Sequence, residues 1–304
     1  MRYLVTGGTG FLGRAIVTKL LGQGHYVKVL DNNFRGKPSI LPSSLSLEVI
    51  QGDIRNPECV EAAANGIDSI IHLAFINGTR HFYEQPGLVV DVGIRGMINV
   101  AESARKNGVE ELVLFSTSET YQSPTLIPTP EDVPLVVPDV LNPRYSYGGA
   151  KIASELYLVN YCTTFLKSWR IIRPHNIYGP KMGNDHVIPN LISKIKQNDR
   201  SISIQGDGKQ TRSFCHVKDF VSAFDLVIKP STPDGIYNIG VESEIRIMDL
   251  TKMLMRLMGK DLSVEVSSGN YGEPIRRCPD ISKIRNLGFK PKIDLENGLL
   301  TCLE

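Results

Sequence analysis

Tyr147 and Lys151 stand four residues apart in Tyr147-Gly148-Gly149-Ala150-Lys151, which puts a phenol and an ammonium on one face of a helix. A free tyrosine, with a pKa of about 10, needs roughly 4 kcal/mol to lose its proton at pH 7, so a phenolate base requires positive charge beside it. Upstream, Ser116-Thr117-Ser118-Glu119-Thr120-Tyr121 places hydroxyls at the C-terminal end of an expected strand, where an open α/β sheet has its ligand crevice. Hydroxyls there hold a substrate oxygen while the tyrosine removes its proton. By itself Tyr-x-x-x-Lys also reads as a surface pair; the strand-end hydroxyls make it a catalytic candidate.

A second cluster points to a nucleotide. Thr6-Gly7-Gly8-Thr9-Gly10-Phe11-Leu12-Gly13 closes one expected strand and opens a helix. Gly7, Gly10 and Gly13 allow a tight turn and close approach of a pyrophosphate, to which the helix start at Phe11 and Leu12 offers amides and a positive dipole end. Asp31, at the end of the second expected strand, is placed to accept hydrogen bonds from the adenosine ribose hydroxyls. Its charge repels a 2′-phosphate, so NAD is expected rather than NADP, with Arg35 as a nearby counterweight. Asp53, in Gly52-Asp53-Ile54-Arg55, either reaches the adenine or caps a helix.

The elements that must position these groups alternate. Arg2–Thr6, Tyr26–Leu30, Leu47–Ile50, Ser69–Leu73, Leu112–Ser116 and Arg170–Arg173 read as strands. Phe11–Gln23, Pro57–Ala64, Leu88–Lys106 and Tyr147–Leu166 read as helices. That alternation predicts an α/β fold: a doubly wound parallel sheet of Rossmann type with a smaller discontinuous C-terminal lobe. The expected division is 1–175, with 216–240 returning to it, as the NAD-binding domain, and 176–215 with 241–304 as the second lobe. In that lobe Val187–Gln197, Phe220–Ile228 and Asp249–Met258 read as helices, Gly235–Ile239 as a strand and Pro274–Cys278 as a basic loop. Thr125–Pro143 reads as an extended crossover loop.

Composition narrows the partners. The 304 residues carry 34 basic and 32 acidic side chains, a formal charge of +2, so nothing favours a surface that tracks nucleic acid, and an anionic ligand is expected to be small. No apolar run approaches the roughly 20 residues of a membrane span, and Met1 leads straight into a strand, from which a cytoplasmic location is expected. The five cysteines lie far apart without a Cys-x-x-Cys, so neither a disulfide framework nor a metal site is expected; Cys215 is retained as a weak functional candidate.

These motifs, with His72-Leu73-Ala74, Arg173-Pro174-His175-Asn176-Ile177-Tyr178-Gly179-Pro180 and Gln210-Thr211-Arg212-Ser213-Phe214, resemble the extended short-chain dehydrogenases/reductases. More narrowly they resemble the NAD-dependent nucleotide-sugar epimerase/dehydratase group, over almost the whole chain. The resemblance implies NAD on Gly7, Gly10, Phe11, Leu12, Gly13, Asp31, Asn32, Asp53, Ile54, Leu73, Ala74 and Lys151. It implies that Tyr147 takes the proton from a sugar hydroxyl, usually on C4, as hydride leaves, with Lys151 lowering the phenol pKa and Thr117 orienting the hydroxyl. A nucleoside-diphosphate sugar would be held by Asn176, Arg212 and one of Arg276 or Arg277. The group also implies a homodimer in which Leu88–Lys106 and Tyr147–Leu166 form a four-helix bundle with their symmetry mates.

The step after oxidation is left open. Epimerisation ranks first on the group's habits. Ser116-Thr117-Ser118-Glu119 resembles UDP-glucuronate decarboxylases and GDP-mannose 4,6-dehydratases, which makes Glu119, beside Ser118, a candidate for proton transfer at C5 or for orienting a carboxylate or hydroxyl. A net C4 dehydrogenase and a non-catalytic NAD- or sugar-nucleotide-binding regulator are the competing readings. Three residues depart from the group's pattern: Phe75 replaces a small residue after His-Leu-Ala, Gly93 stands where asparagine is common, and Gln122 replaces a glycine. His81-Phe82-Tyr83-Glu84 matches no single activity.

Overall fold

The computed structural model describes residues 1–267 and 275–303. In chain order its elements begin β1 (Arg2–Thr6), α1 (Phe11–Gly22), β2 (Tyr26–Asp31), β3 (Leu47–Gln51), α2 (Pro57–Ala64), β4 (Ser69–His72), α3 (Thr79–Glu84), α4 (Pro86–Lys106), β5 (Glu111–Phe115), α5 (Ser146–Asn160) and β6 (Ser168–Pro174). They continue with β7 (Ile177–Tyr178), α6 (Val187–Gln197), β8 (Ser201–Gln205), β9 (Thr211–Ser213), β10 (Cys215–His216), α7 (Val217–Val227), β11 (Gly235–Ile239), β12 (Glu244–Arg246), α8 (Ile247–Leu257), β13 (Ser263–Ser267), β14 (Arg276–Arg277), α9 (Ser282–Asn286) and α10 (Leu295–Leu303).

Seven strands form one sheet in the order β11-β6-β5-β4-β1-β2-β3, with β1 to β6 paired in parallel. Helices cover both faces of such a sheet, so its central strands are apolar throughout rather than alternating. Accordingly every residue of β5 is buried. The chain divides into a first unit of residues 1–120, 135–173 and 227–237, and a second of 121–134, 174–226 and 238–304. The sequence-based division places 121–134, 174–175, 216–226 and 238–240 with the sheet instead. Unit 2 has its own apolar cluster, in which Ile188, Leu191, Ile192 and Ile195 of α6 pack with Leu250 and Leu254 of α8.

Local chemistry explains where several elements begin and end. α2 starts where the Asn56 side chain accepts from the Cys59 amide and Pro57 occupies the first turn. The helix expected to run from Tyr147 to Leu166 stops at Asn160. There the Thr163 and Thr164 hydroxyls bond back to the carbonyls of Val159 and Tyr161, and the chain tightens into a 3-10 turn over Cys162–Thr164. Pro274 of the expected basic loop lies outside the described residues; Arg276 and Arg277 form β14 instead, paired in parallel with β9. The parallel pair β8 and β13, which the sequence reading missed, is one whose Ser201-Ile202-Ser203-Ile204 alternation is a strand signal.

One buried ion pair fixes the strand ends that carry the candidate hydroxyls. Arg173 at the end of β6 donates from Nε and Nη2 to Glu155 of α5, at 2.9 and 2.6 Å, and the Ser116 hydroxyl bonds to the same carboxylate. Both charged side chains are almost wholly buried. Removing one member of such a pair leaves the other charge buried without its partner, which costs about 3–5 kcal/mol. Glu155→Gln is therefore expected to lower the unfolding free energy measured in urea by about 3 kcal/mol; a loss below about 1 kcal/mol would contradict the arrangement.

Candidate active site

The glycines of the first turn have different tasks. A Cβ on Gly7, whose φ is +73°, would lie 2.7 Å from the Ala74 amide nitrogen, and one on Gly13 would lie 2.2 Å from the Gly7 carbonyl oxygen. Those two let β1, α1 and the chain after β4 close together. Gly10, the N-cap of α1, has only the Gly7 oxygen within reach, at 3.3 Å, and supplies no side-chain cap. The amides of Phe11, Leu12 and Gly13, which a helix start leaves without intrahelical partners, therefore have an uncapped, uncrowded approach for an anion. This is a cradle that fits a dinucleotide pyrophosphate.

Around it, the Asp31 carboxylate accepts from the Thr9 and Asn33 amides at 3.0 and 2.8 Å. Asp53 is held by Arg55 at 2.7 Å and by Asn32, and the Arg55 guanidinium keeps its carboxyl down at about 2. Ile54 is buried, with Asn99 donating to its carbonyl. Thr6 Oγ1 meets His72 Nδ1 at 2.7 Å and accepts from the Ala74 amide, tying Leu73 and Ala74 to the end of β1.

Tyr147 and Lys151 both lie on α5 and both are buried. The Tyr147 ring is clamped: Phe82 stacks on it at 5.1 Å and 11° between planes, and Phe75 meets it edge-on at 5.1 Å. Burial raises the phenol pKa well above its usual value, a hydrogen bond with Thr117 lowers it, nearby Glu119 raises it and the Arg35 charge lowers it. Lys151 Nζ donates to the Phe115 carbonyl and sits over the Phe75 ring, 4.1 Å from its centroid. Burial pushes its pKa down to about 7, against a smaller opposing effect of Glu155.

Thr117 and Ser118 are buried at the strand end, and the Glu119 amide donates to Thr117 Oγ1. Glu119 itself is paired with Arg144 at 2.8 Å, and Arg144, 6% exposed at its side chain, lies over the Phe82 ring. Sequence reasoning missed Arg144, which carries no local signal because its pairing with Glu119 joins residues 25 apart through a long loop; it singled out Phe82 only within the segment His81-Phe82-Tyr83-Glu84, without its contact with Tyr147.

In unit 2, Asn176 donates to the Ser213 carbonyl, and β9 and β14 run in register with Arg212 opposite Arg277 and Thr211 opposite Arg276. Neighbours in register on adjacent strands point to the same side of a sheet. Arg212 and Arg277 thus share one face, while Arg276 turns to the other and is held by Glu244 at 2.6 Å. Cys215 is fully buried and its thiol is pushed far up by burial, so it offers no thiolate nucleophile. Among the described residues no cluster of His, Cys, Asp and Glu could hold a metal ion, and no helix is long and apolar enough to cross a membrane.

Residues 3–240 match the sequence profile of the NAD dependent epimerase/dehydratase family. The chain belongs to that family. It is 32% identical over 305 residues to UDP-glucuronic acid decarboxylase 1 of Arabidopsis thaliana, covering 98% of this chain and 68% of the relative. It is equally 32% identical over 302 residues to a putative UDP-glucose 4-epimerase of Methanocaldococcus jannaschii, covering 97% and 95%. The dTDP-glucose 4,6-dehydratase of Streptomyces venezuelae, solved with NAD, superposes with a TM-score of 0.89 at 28% identity, covering 99% and 95%. The chain is accordingly an NAD-dependent enzyme of the nucleotide-sugar epimerase, decarboxylase and dehydratase group, on a Rossmann-type sheet.

Two departures from the family pattern explain each other. A Cβ on Gly93 of α4 would lie 2.3 Å from the tip of the Phe75 ring and 2.9 Å from the Ala150 Cβ, so the large residue at 75 fits only because 93 has no side chain. Gln122 is buried with φ +52°, a conformation that glycine adopts more readily. The Gly93→Ala change should displace Phe75 from Tyr147 and Lys151 and lower the melting temperature, whereas adding Phe75→Ala should recover part of the loss. The double-mutant coupling is expected to be about 1 kcal/mol or more; simple additivity in thermal unfolding would show that the two do not compensate.

Proposed function

We propose that this enzyme converts a nucleoside-diphosphate sugar by transient oxidation at C4. The observation that carries the reading is the buried Thr117, Tyr147 and Lys151 set, in the same unit as the uncapped start of α1. The cofactor residues would be those of the glycine turn with Phe11 and Leu12, Asp31 and Asn32, Asp53 and Ile54, Leu73 and Ala74, and Lys151. Bound NAD supplies a hydride acceptor for C4.

Tyr147 takes the C4 hydroxyl proton, and Thr117, already bonded to the phenol, holds the same oxygen. The rings of Phe75 and Phe82 exclude water from the phenol, which preserves the force of every charge near it. Lys151, with a pKa near 7, is poised to give or take positive charge as the phenol ionises. Arg212 and Arg277, sharing one face of unit 2, would grip the diphosphate with Asn176, since guanidinium forks match phosphate oxygens. Arg276 is committed to Glu244 and takes no part in that grip.

Epimerisation at C4 is the first reading for the step after oxidation: it requires only that the sugar turn before hydride returns. Ion-paired Glu119 is then an orienting group rather than a base at C5. A second reading, decarboxylation of a 6-carboxy sugar, is favoured by Arg144, a buried cation next to the phenol site that could receive a carboxylate. It needs no base, because the 4-ketone itself accepts the electrons. Both leave the cofactor oxidised. A non-catalytic regulator would have no use for the proton-transfer set.

We also propose a cytoplasmic homodimer. Val90, Ile94 and Ile98 of α4 and Leu156 and Val159 of α5 are exposed, and beside them lies a groove of about 930 Å³ lined also by Val140 and Leu141. A four-helix bundle of α4 and α5 with their symmetry mates would cover these side chains.

Two experiments test these readings. Incubation with UDP-, GDP-, CDP- and dTDP-sugars in deuterated water should yield either a product of unchanged mass and altered stereochemistry or one that has lost carbon dioxide; Tyr147→Phe should slow turnover by about 10³-fold. Loss of water would instead indicate dehydration, and full activity of Tyr147→Phe would remove the proposed base. In sedimentation equilibrium the native chain should run at twice its monomer mass and Ile94→Asp at the monomer mass; a monomeric native chain at micromolar concentration would refute the bundle.

A further inference from the structure

Lys151 brings an ammonium with three N–H donors into a site where it is only 2% exposed. Two groups receive it there. Nζ donates to the carbonyl of Phe115 at the end of β5, and it lies over the Phe75 ring, 4.1 Å from the centroid. The face of an aromatic ring is negative and attracts a cation, most strongly where water is excluded. The same Phe75 ring meets the Tyr147 ring with centroids 5.1 Å apart and 83° between the planes. One side chain thus touches both the cation and the phenol.

The ring is held in that place from both ends. Its backbone follows Ala74, whose amide donates to Thr6 Oγ1 at the end of β1. Its tip enters the space between α4 and α5 that Gly93 leaves, since a Cβ there would be 2.3 Å from Phe75 Cζ and 2.9 Å from the Ala150 Cβ. The charged groups around the ammonium come from several elements. Glu155, on α5 itself, favours the charged form of Lys151. His72 of β4 is kept neutral at pH 7, because burial and then the Lys151 charge push its pKa down to about 3. β5 offers the Phe115 carbonyl, and α4 meets the ring at Gly93, which has no charge to offer. Glu119 and Arg35 act on the phenol of Tyr147.

We propose that Phe75 is a positioning residue of the proton-transfer pair: the face of its ring seats the Lys151 ammonium and keeps it charged, and the same ring fixes the phenol beside it. The choice of an aromatic partner has a physical reason. A carboxylate in this place would hold the cation more tightly, but it would cancel the positive charge that a phenolate needs nearby. A ring holds the cation, leaves its charge in place and takes none of its N–H donors away from incoming groups. Phe75 and Gly93, which depart together from the family pattern, are then one functional exchange, with the glycine making room for the seat. The proposal rests on the reading of Tyr147 as base and Lys151 as its cation, and it deepens that reading by naming what holds the cation.

The test reads Lys151 directly and uses no sugar nucleotide. The NAD-loaded protein is prepared with lysine carrying ¹³C at Cε, and the Lys151 signal, identified by its loss in Lys151→Met, is followed by NMR against pH. Phe75 is replaced in turn by mono-, di- and trifluorophenylalanine, which keep the shape of the ring and drain charge from its face. The Lys151 midpoint should fall stepwise, by about half a unit over the series, because a weaker attraction favours the charged form less. Phe75→Leu, apolar but without a ring, should lower it at least as far, and thermal melts show that each variant is folded. A merely structural role for Phe75 leaves the fluorinated series level. On a sugar nucleotide that is turned over, the alkaline fall of kcat should move to lower pH in the same order with KM unchanged, since the charged form is lost as pH rises through the Lys151 midpoint. A midpoint that stays level or rises along the fluorinated series overturns the seat, with or without a known substrate. A falling midpoint in a protein that turns over no sugar nucleotide supports the seat and removes the reaction instead.

Discussion

The phenol of Tyr147, the proposed base, is buried between two aromatic rings, and its burial opposes the loss of its proton. Burial and Glu119 hold the Tyr147 proton on; the Thr117 hydrogen bond and the Arg35 charge draw it off. Lys151 has the same problem with the opposite sign, since burial lowers its pKa to the neutral range, where a small change in neighbouring charge moves it between states. A site of this kind is near balance by construction. Substrate and cofactor charges arriving in it can tip the proton either way, as the proposed reversible transfer at C4 demands.

Such a balance requires rigid surroundings, and these are ionic behind the site and apolar around it. Arg173 and Glu155 lock the ends of β6 and α5 together and reach the Ser116 hydroxyl, so the strand end that presents Thr117 cannot shift independently of the helix that presents Tyr147. Arg144 and Glu119 form a second locked pair beside Phe82. Neither pair is a strong source of net stability, because desolvation offsets the attraction; each fixes one geometry among several. The apolar clamp depends on a missing atom, for the Phe75 ring lies where a Cβ on Gly93 would be.

The sheet and its first turn were legible from the chain because their signals are local. Strands β1 to β6 were placed within one or two residues, α2 and α6 at their observed bounds, and the glycine turn at the helix start. The end of α5 was not legible from periodicity, since apolar spacing persists past Asn160 while the threonine hydroxyls that stop the helix act through the backbone. Phe75 and Gly93 could be seen as two oddities, but only their contact shows that they are one feature. That Arg277 rather than Arg276 shares a face with Arg212 likewise needed the register of β14 on β9, which adjacent residues in a sequence do not reveal.

The amino-acid order by itself determined the sheet, the dinucleotide turn, the Tyr147 and Lys151 dyad and the family, because each rests on residues within a turn or two of one another and on helix and strand periods. Tertiary structure alone decided that the phenol is clamped by Phe75 and Phe82 and that Glu119 is held by Arg144. Those contacts join residues tens of positions apart, whose meeting depends on how strands are ordered and helices are packed. No local pattern encodes that order; it follows from the burial of the whole apolar sheet.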